Sequence, residues 1–134
     1  MALTADRKTD MRDGEIISLK VAAATVIYAG GMVAKNGSGY AVPAADAANL
    51  VVMGRADQYV DNSGGADGDE TVLVRRNKAF KYKNSTTNPV TIAHIGGDVY
   101  VEDDETVASS GGTNSIAAGK CIGIDSDGVW VEIS

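Results

Sequence analysis

Residues 120–133 read KCIGIDSDGVWVEI. Apolar and polar side chains alternate on both sides of the turn at Asp125–Gly128, and Val129, Val131 and Ile133 fall on one face. Alternation with a period of two is typical of a strand with one buried face. Asp-Gly between two such runs favours a β-hairpin. The segment therefore predicts a hairpin and places the chain in the β class.

Composition extends this prediction to the whole chain. Its 134 residues are enough for one domain. Val and Ile number 15 and 9 against 4 Leu, with 16 Gly and 9 Thr beside them. β-Branched residues and glycine in these proportions are typical of short strands and turns. We expect an all-β fold, namely a single small domain of short antiparallel strands that is barrel-like or β-tulip-like.

Further patterns along the chain predict where individual elements lie. Residues 16–21 alternate as a half-buried strand, and Asn36-Gly37 between extended runs predicts a second hairpin. Residues 43–48 are the one stretch in which we expect a helical turn. Gly54 is predicted to break the strand that begins near Leu50.

The first 14 residues differ in composition from the rest of the chain. Residues 1–14 are polar, mix acidic and basic side chains, and show no apolar period. Such a segment has no face to bury in a core. We therefore expect a flexible, extended N-terminal arm at residues 1–14 and a β-rich core domain at residues 15–134.

The charge of the chain is acidic overall but unevenly spread. The net charge is −6, which argues against a nucleic-acid partner, since such partners select basic surfaces. Residues 61–70 hold four acidic side chains, and residues 71–83 hold five basic side chains and no acidic ones. Residues 84–134 hold eight acidic side chains against Lys120 alone, a net charge of −7. Blocks of this kind suit complementary contacts between copies of the chain or with a charged partner.

The basic block spans two predicted strands, residues 71–76 and 78–83. In the second strand, Lys81 and Lys83 are expected on the solvent face, opposite Phe80 and Tyr82. One interpretation is a charged contact patch, and the alternative is a solvated basic strand pair. The patch would consist of Arg75, Arg76, Lys78, Lys81 and Lys83.

Residues with catalytic or metal-binding chemistry are few. Cys121 lies in an alternating strand and His94 in a short apolar run, so both are predicted to be structural side chains. One Cys and one His cannot build a Cys/His zinc site. No catalytic motif is found, and no apolar run reaches the ~18 residues of a membrane span. We expect no enzyme activity, no cofactor, no metal and no membrane contact.

Several segments, taken in their order and spacing, resemble the capsid cement or head decoration proteins of tailed bacteriophages and prophages. The resemblance covers roughly residues 20 to 133, and the arm carries little of it. The segments are ATVIYAGGMVA at 24–34, GYAVPA at 39–44, YVDN at 59–62, VYVEDD at 99–104, and AGK through DGVWV within 118–131.

The resemblance implies a non-enzymatic virion protein that binds the outside of the assembled head. Its partners would be the major capsid protein and other copies of itself, commonly as a homotrimer. It would reside in the host cytoplasm before assembly and on the capsid surface afterwards. Proteins of this kind often add an extended arm to a capsid sheet, which would assign that role to Leu3, Thr4, Ala5, Asp6, Arg7 and Lys8.

Two other classes of function remain open at this stage. One is a different phage structural subunit, such as a tail-tube or head-completion protein, which would form rings or tubes without a capsid. The other is a carbohydrate-binding β-sandwich displayed on the virion, although one Trp, one Phe and five Tyr are a small supply of aromatic side chains for a sugar platform.

Overall fold

The computed structural model describes residues 2–134, and these form an all-β fold. One 3₁₀ turn, Ile92–His94, is present, and no α-helix occurs within the described range. The strands are β1 Ile16–Lys20, β2 Thr25–Ile27, β3 Met32–Lys35, β4 Ala41–Pro43, β5 Val51–Ala56, β6 Val60–Asn62, β7 Thr71–Arg75, β8 Lys78–Asn84, β9 Asp98–Val101, β10 Thr106–Ala108, β11 Ala117–Asp125 and β12 Gly128–Ile133.

The strands form three sheets. The first has the order β1-β7-β5-β3-β4, with antiparallel neighbours throughout, and β2 pairs with β6 in a small sheet of two strands. The remaining five close into a barrel in the order β10-β8-β12-β11-β9. The predicted all-β, barrel-like fold is therefore confirmed. Among the pairs of strands, antiparallel pairing has one exception, because β8 and β10 run parallel, with Thr106 opposite Lys83. An isolated parallel bridge also joins Val21 and Ala41.

The C-terminal hairpin forms as predicted, with its turn between Asp125 and Gly128. Val129, Val131 and Ile133 of β12 point into the barrel and are almost completely buried. On β11 the register shifts between Cys121 and Gly123, where a β-bulge occurs. The Cys121 side chain is fully buried, whereas Ile122 is 47% exposed. The hairpin is therefore predicted correctly, and the alternation of β11 places Cys121 inside and Ile122 outside.

One strand joins the two hydrophobic clusters of the protein. Met32 and Ala34 of β3 pack in the cluster that fills the barrel, and Val33 between them packs in the cluster behind the first sheet. All three side chains are fully buried. Because successive side chains of a strand point to opposite faces, β3 is shared by both clusters and binds them into one domain.

Two local predictions are wrong. Residues 43–48 contain no helical turn, since Pro43 ends β4, the Ala44 N–H donates to the Met32 carbonyl at 2.8 Å, and the Asp46 carboxylate accepts from residues 113 and 114. Gly54 does not break its strand either, because β5 continues through it to Ala56. A β-bulge in β5, where the register with β3 shifts between Val33 and Ala34, lets the strand continue past the glycine.

Gly54 is required where it stands because of a close approach between strands. Its φ is +154°, and a Cβ at this position would clash with the carbonyl oxygen of Arg75 and lie 2.8 Å from Val74 Cγ1. The absence of a side chain therefore lets β5 and β7 pack side by side.

A charged network fixes the edge of the first sheet. Asp57 accepts from Arg55 Nη2 at 2.7 Å and pairs with Arg75 Nη2 at 3.1 Å, and Arg75 also pairs with Glu15 at 3.1 Å. The hydrogen bond from Arg55, together with the hydrogen bond and charge of Arg75, lowers the pKa of Asp57. Glu15 thus anchors the point at which the arm joins β1.

The Asp57 network predicts a pH dependence of folding stability. Because the folded state lowers the pKa of Asp57, its contribution is present above the pKa of the unfolded chain and is lost as pH falls through the lower folded value. We expect Asp57→Asn to lower the free energy of unfolding near pH 7 and to flatten its decrease on acidification. Urea unfolding at several pH values checks this. An unchanged pH slope in the variant would contradict it.

Candidate functional site

The arm is the first predicted contact element. Residues 2–14 contain no strand, and every side chain among them is exposed, with Leu3 at 74% and Met11 at 97%. No salt bridge within residues 2–134 involves a side chain of the arm. The six side chains assigned to capsid binding, Leu3 to Lys8, are therefore open to solvent along one continuous stretch.

The predicted alternation on β8 is confirmed. Phe80 and Tyr82 are 8% and 6% exposed and face the barrel core. Lys81 and Lys83 lie on the outer face, as expected from a period of two. The basic block is not a strand pair, however. β7 belongs to the first sheet and β8 to the barrel, so the two basic strands do not pair with each other, and a solvated face is still the alternative to a contact patch.

Lys81 lies at the centre of a polar cluster on the outer wall of the barrel. Its Nζ is 3.1 Å from Asp127 and 3.8 Å from Asp125, and it lies 5.8 Å from the centre of the Trp130 ring. Trp130 Nε1 donates to Asp125 Oδ2 at 2.8 Å. The β11–β12 turn therefore places two carboxylates and an indole around one lysine.

The other basic residues also meet acidic partners. Lys83 Nζ is 2.6 Å from Glu105, and this contact raises the pKa of Lys83. Lys78 Nζ is 3.1 Å from Glu15, the carboxylate that Arg75 also contacts. Arg76 has no salt bridge among the described residues, and its Nε is buried without a hydrogen-bond partner.

These contacts change the interpretation of the predicted charged contact patch. We call its five residues the basic face from here on: Arg75, Arg76, Lys78, Lys81 and Lys83. Arg75 and Lys78 come together at Glu15, while Lys81 and Lys83 share the outer wall of the barrel. The charge blocks of the sequence thus complement one another within a single chain. The surface offered to a partner is a mixture of positive and negative groups. Because surface pairs of this kind stabilise folding only weakly, they remain available for exchange with a partner's charges.

A cleft beside this face was not predicted from the sequence. We call it the tyrosine cleft, since tyrosines line two of its walls, and its volume is about 630 Å³. Tyr28 packs against Tyr59 with ring centres 5.5 Å apart and ring planes tilted by 44°, and both residues are more than half exposed. The lining residues are Tyr28, Ala29, Gly30, Gly31, Lys81, Tyr82, Lys83, Asp104 and Glu105. No motif of the sequence indicates this cleft, because its lining comes from three separate segments, residues 28–31, 81–83 and 104–105.

The remaining polar residues that the sequence singled out have structural contacts. Cys121 Sγ is buried and lies 3.7 Å from the Gly123 carbonyl oxygen. His94 Nδ1 accepts from the Thr91 N–H at 2.9 Å and caps the 3₁₀ turn. In the loop after β6, Asp67 accepts from the Ala23 N–H and Asp69 from the Ala66 N–H. These contacts hold turns and loops in place.

Residues 2–134 contain no group of three or more His, Cys, Asp or Glu side chains arranged to hold a metal ion. Over the same residues, no helix has the length and apolar character needed to cross a membrane.

The chain was also compared with known proteins. No protein-family model, no curated protein and no solved structure matches it. Function is therefore inferred from the arm, the basic face, the cleft and the resemblance of the sequence segments.

Proposed function

We propose that this chain is a capsid decoration protein of a tailed phage or prophage, which binds the outer surface of the expanded head and stabilises it. The observation that carries the proposal is the exposed arm, residues 2–14, which leads directly into the edge strand β1. The all-β body and the resemblance of segments 24–34 and 118–131 support it.

The arm suits binding by strand addition. Its thirteen residues, when extended, reach roughly 40 Å from Glu15. An extended segment can add its backbone hydrogen bonds to the open edge of a partner's sheet and place alternate side chains in pockets. In this proposal the arm becomes ordered when it binds the capsid, so part of the binding free energy offsets the entropy lost by the arm.

Stabilisation of the head follows from preferential binding. A protein that binds the expanded lattice better than the procapsid or free subunits shifts the equilibrium toward the expanded form. Several weak contacts for each oligomer combine through avidity. Co-sedimentation with expanded heads and with procapsids tests the proposal, and we expect binding to the expanded form. Failure to bind either form, or assembly into rings or tubes without capsid, would contradict it.

The protein is predicted to act as a homotrimer. The charged groups of the basic face and the acidic segments give each copy surfaces of both signs, which favours contacts between copies. Light scattering and density of decorated heads measure the oligomeric state. A monomer in solution combined with no threefold cluster on heads would contradict the prediction, whereas trimers formed only on the capsid would satisfy it.

Reversing two charges on the outer wall of the barrel is expected to slow assembly. In Lys81→Glu/Lys83→Glu, the new carboxylates face Asp125, Asp127 and Glu105, so this face becomes uniformly acidic. Because exposed charges act mainly on association rate, head binding should slow most at low salt and recover as salt is raised. Head-binding kinetics across a salt series measure this effect.

The matched control for this variant is Lys20→Glu/Lys35→Glu, which makes the same change in net charge on strands of the first sheet. It should bind heads at a rate closer to that of the wild type. A folded Lys81/Lys83 variant with wild-type rates at every salt concentration would show that these lysines form only a solvated strand face.

A further inference from the structure

The turn between β3 and β4 runs from Asn36 to Tyr40. The Asn36 carbonyl accepts from the Gly39 N–H at 2.9 Å, and the Asn36 N–H donates to the Tyr40 carbonyl at 2.9 Å. The one positive φ of this turn, +91°, falls on Gly39. Gly37 has no positive φ, and a Cβ on it would lie 3.6 Å from Asn49 Cβ, which is an ordinary contact. The turn therefore requires a glycine at position 39 but not at position 37.

The side-chain carbonyl of Asn36 accepts two backbone hydrogen bonds. The Ser38 N–H and the Tyr40 N–H both donate to Asn36 Oδ1, each at 3.0 Å. Two N–H donors on one carbonyl oxygen stabilise the negative charge that develops there when a nucleophile attacks the carbonyl carbon. In this turn that carbon is Asn36 Cγ. The hairpin thus holds a side-chain amide in an environment that favours attack on it.

The backbone nitrogen of the next residue is available as the nucleophile. Gly37 is exposed, and its N–H takes part in no hydrogen bond among residues 2–134. Three chain atoms lie between this nitrogen and Asn36 Cγ, so attack closes a five-membered ring. Because the two reacting groups belong to one short segment, the reaction does not pay the entropy of bringing them together. Gly37 also has no Cβ to hinder the approach of its nitrogen.

The other six asparagines of the chain lack this combination, since none of them is followed by a glycine. Asn62 is 2% exposed, and its Nδ2 donates to three backbone carbonyls. The N–H groups that follow Asn84 and Asn114 donate to backbone carbonyls. Asn88 precedes a proline, which has no N–H. The remaining two precede residues with long side chains, which crowd the nitrogen.

We propose that Asn36 is a self-modification site, which deamidates in the folded protein through a succinimide formed with Gly37. The Gly37 nitrogen loses its proton to solvent and bonds to Asn36 Cγ. The Cγ–Nδ2 bond then breaks, and Nδ2 takes a proton from solvent and leaves as ammonia. Water opens the ring at either of its two carbonyl carbons. Opening at Cγ gives aspartate, and opening at the backbone carbonyl carbon gives isoaspartate. In sum, water is consumed and ammonia is released.

The two products differ in their effect on the hairpin. Aspartate keeps an oxygen acceptor for the N–H groups of Ser38 and Tyr40 and adds one negative charge. Isoaspartate adds the Cβ of residue 36 to the main chain, directly after the pair formed by Lys35 and Ala41. Because β3 contributes side chains to both hydrophobic clusters, the longer turn should destabilise the domain. The reaction needs only water, so the converted fraction grows with the age of the protein, whether or not it binds a capsid.

The test is incubation of the full-length folded protein at neutral and at mildly alkaline pH, followed by peptide mapping with mass spectrometry. We expect aspartate and isoaspartate to accumulate at position 36 before any other asparagine reacts. Conversion should be faster at the higher pH, since the attacking nitrogen must lose its proton. Gly37→Ala should slow it at least about tenfold, because the new Cβ hinders the approach of the nitrogen. This variant should keep the wild-type fold, since the position accepts a Cβ without a clash.

Ser38→Ala is the matched control, because it changes the same turn but keeps Gly37 and both backbone donors to Oδ1. It should convert at the wild-type rate. Three outcomes would overturn the inference. They are earlier conversion of another asparagine, an unchanged rate in Gly37→Ala, and conversion in urea but not in the folded protein. The last result would show that the turn protects Asn36 instead of exposing it to attack.

Discussion

A chain that lacks residues 2–14 is expected to keep its fold and to lose capsid binding by about 100-fold or more. The fold should survive because these residues contribute no strand and no buried side chain to either cluster. Binding should fall steeply because every copy in an oligomer loses its arm at once, and the avidity of linked contacts is lost with it. Co-sedimentation of the truncated protein with expanded heads measures the loss.

A scrambled arm of the same composition is the matched control for this deletion. It keeps the length and charge of residues 2–14 but changes the order of apolar and polar side chains. Strand addition predicts that the scrambled arm also binds poorly, since side-chain pockets read that order. Unchanged head binding by the truncated chain, with an unaltered circular dichroism spectrum, would rule out the arm as the main capsid contact.

Gly54→Ala is expected to lower the free energy of unfolding by about 3 kcal/mol or more. The added Cβ would clash with the Arg75 carbonyl oxygen, lie 2.8 Å from Val74 Cγ1, and sit at a φ of +154°. Overpacking and a strained backbone each cost about 1–3 kcal/mol. Thermal unfolding should show a midpoint lowered by roughly 10 °C for a domain of this size.

The matched control is Gly64→Ala, in the loop after β6. A Cβ on Gly64 would meet no atom within 4 Å, and its φ is not positive. The free energy of unfolding of that variant should lie within about 1 kcal/mol of the wild-type value. Equal stability of the two variants would mean that β5 and β7 can separate to admit a methyl group, and that Gly54 is not needed for their contact.

Local patterns in the sequence predicted the local structure well. The hairpin at 120–133 and the alternation on β8 follow from a period of two and from turn residues, which act over a few neighbouring positions. The prediction that Gly54 ends its strand is wrong because a glycine can either break a strand or allow two strands to approach closely. The neighbour that decides between these roles, Arg75, lies 21 positions away in sequence.

The pairing of strands that are distant in sequence could not be predicted, for a related reason. Nothing in residues 71–83 indicates that β7 joins the first sheet while β8 joins the barrel, since both have the same alternation. The acidic partners of the basic face come from residues 15, 57, 105, 125 and 127, which are distant in sequence. The tyrosine cleft exists only because such distant segments meet. Its residues carry no motif of their own.

The position of β12 in the barrel has a consequence for biosynthesis. Gly128–Ile133 is bonded on one side to β8 and on the other to β11, so the ring of strands stays open until these residues are available. The first sheet uses residues 16–75 alone and can pair while translation continues. A nascent chain would thus leave Phe80 and Tyr82 of β8 without their neighbours on β12 until residues 129–131 have been made. Chaperones that recognise exposed apolar segments are expected to contact that strand during this interval.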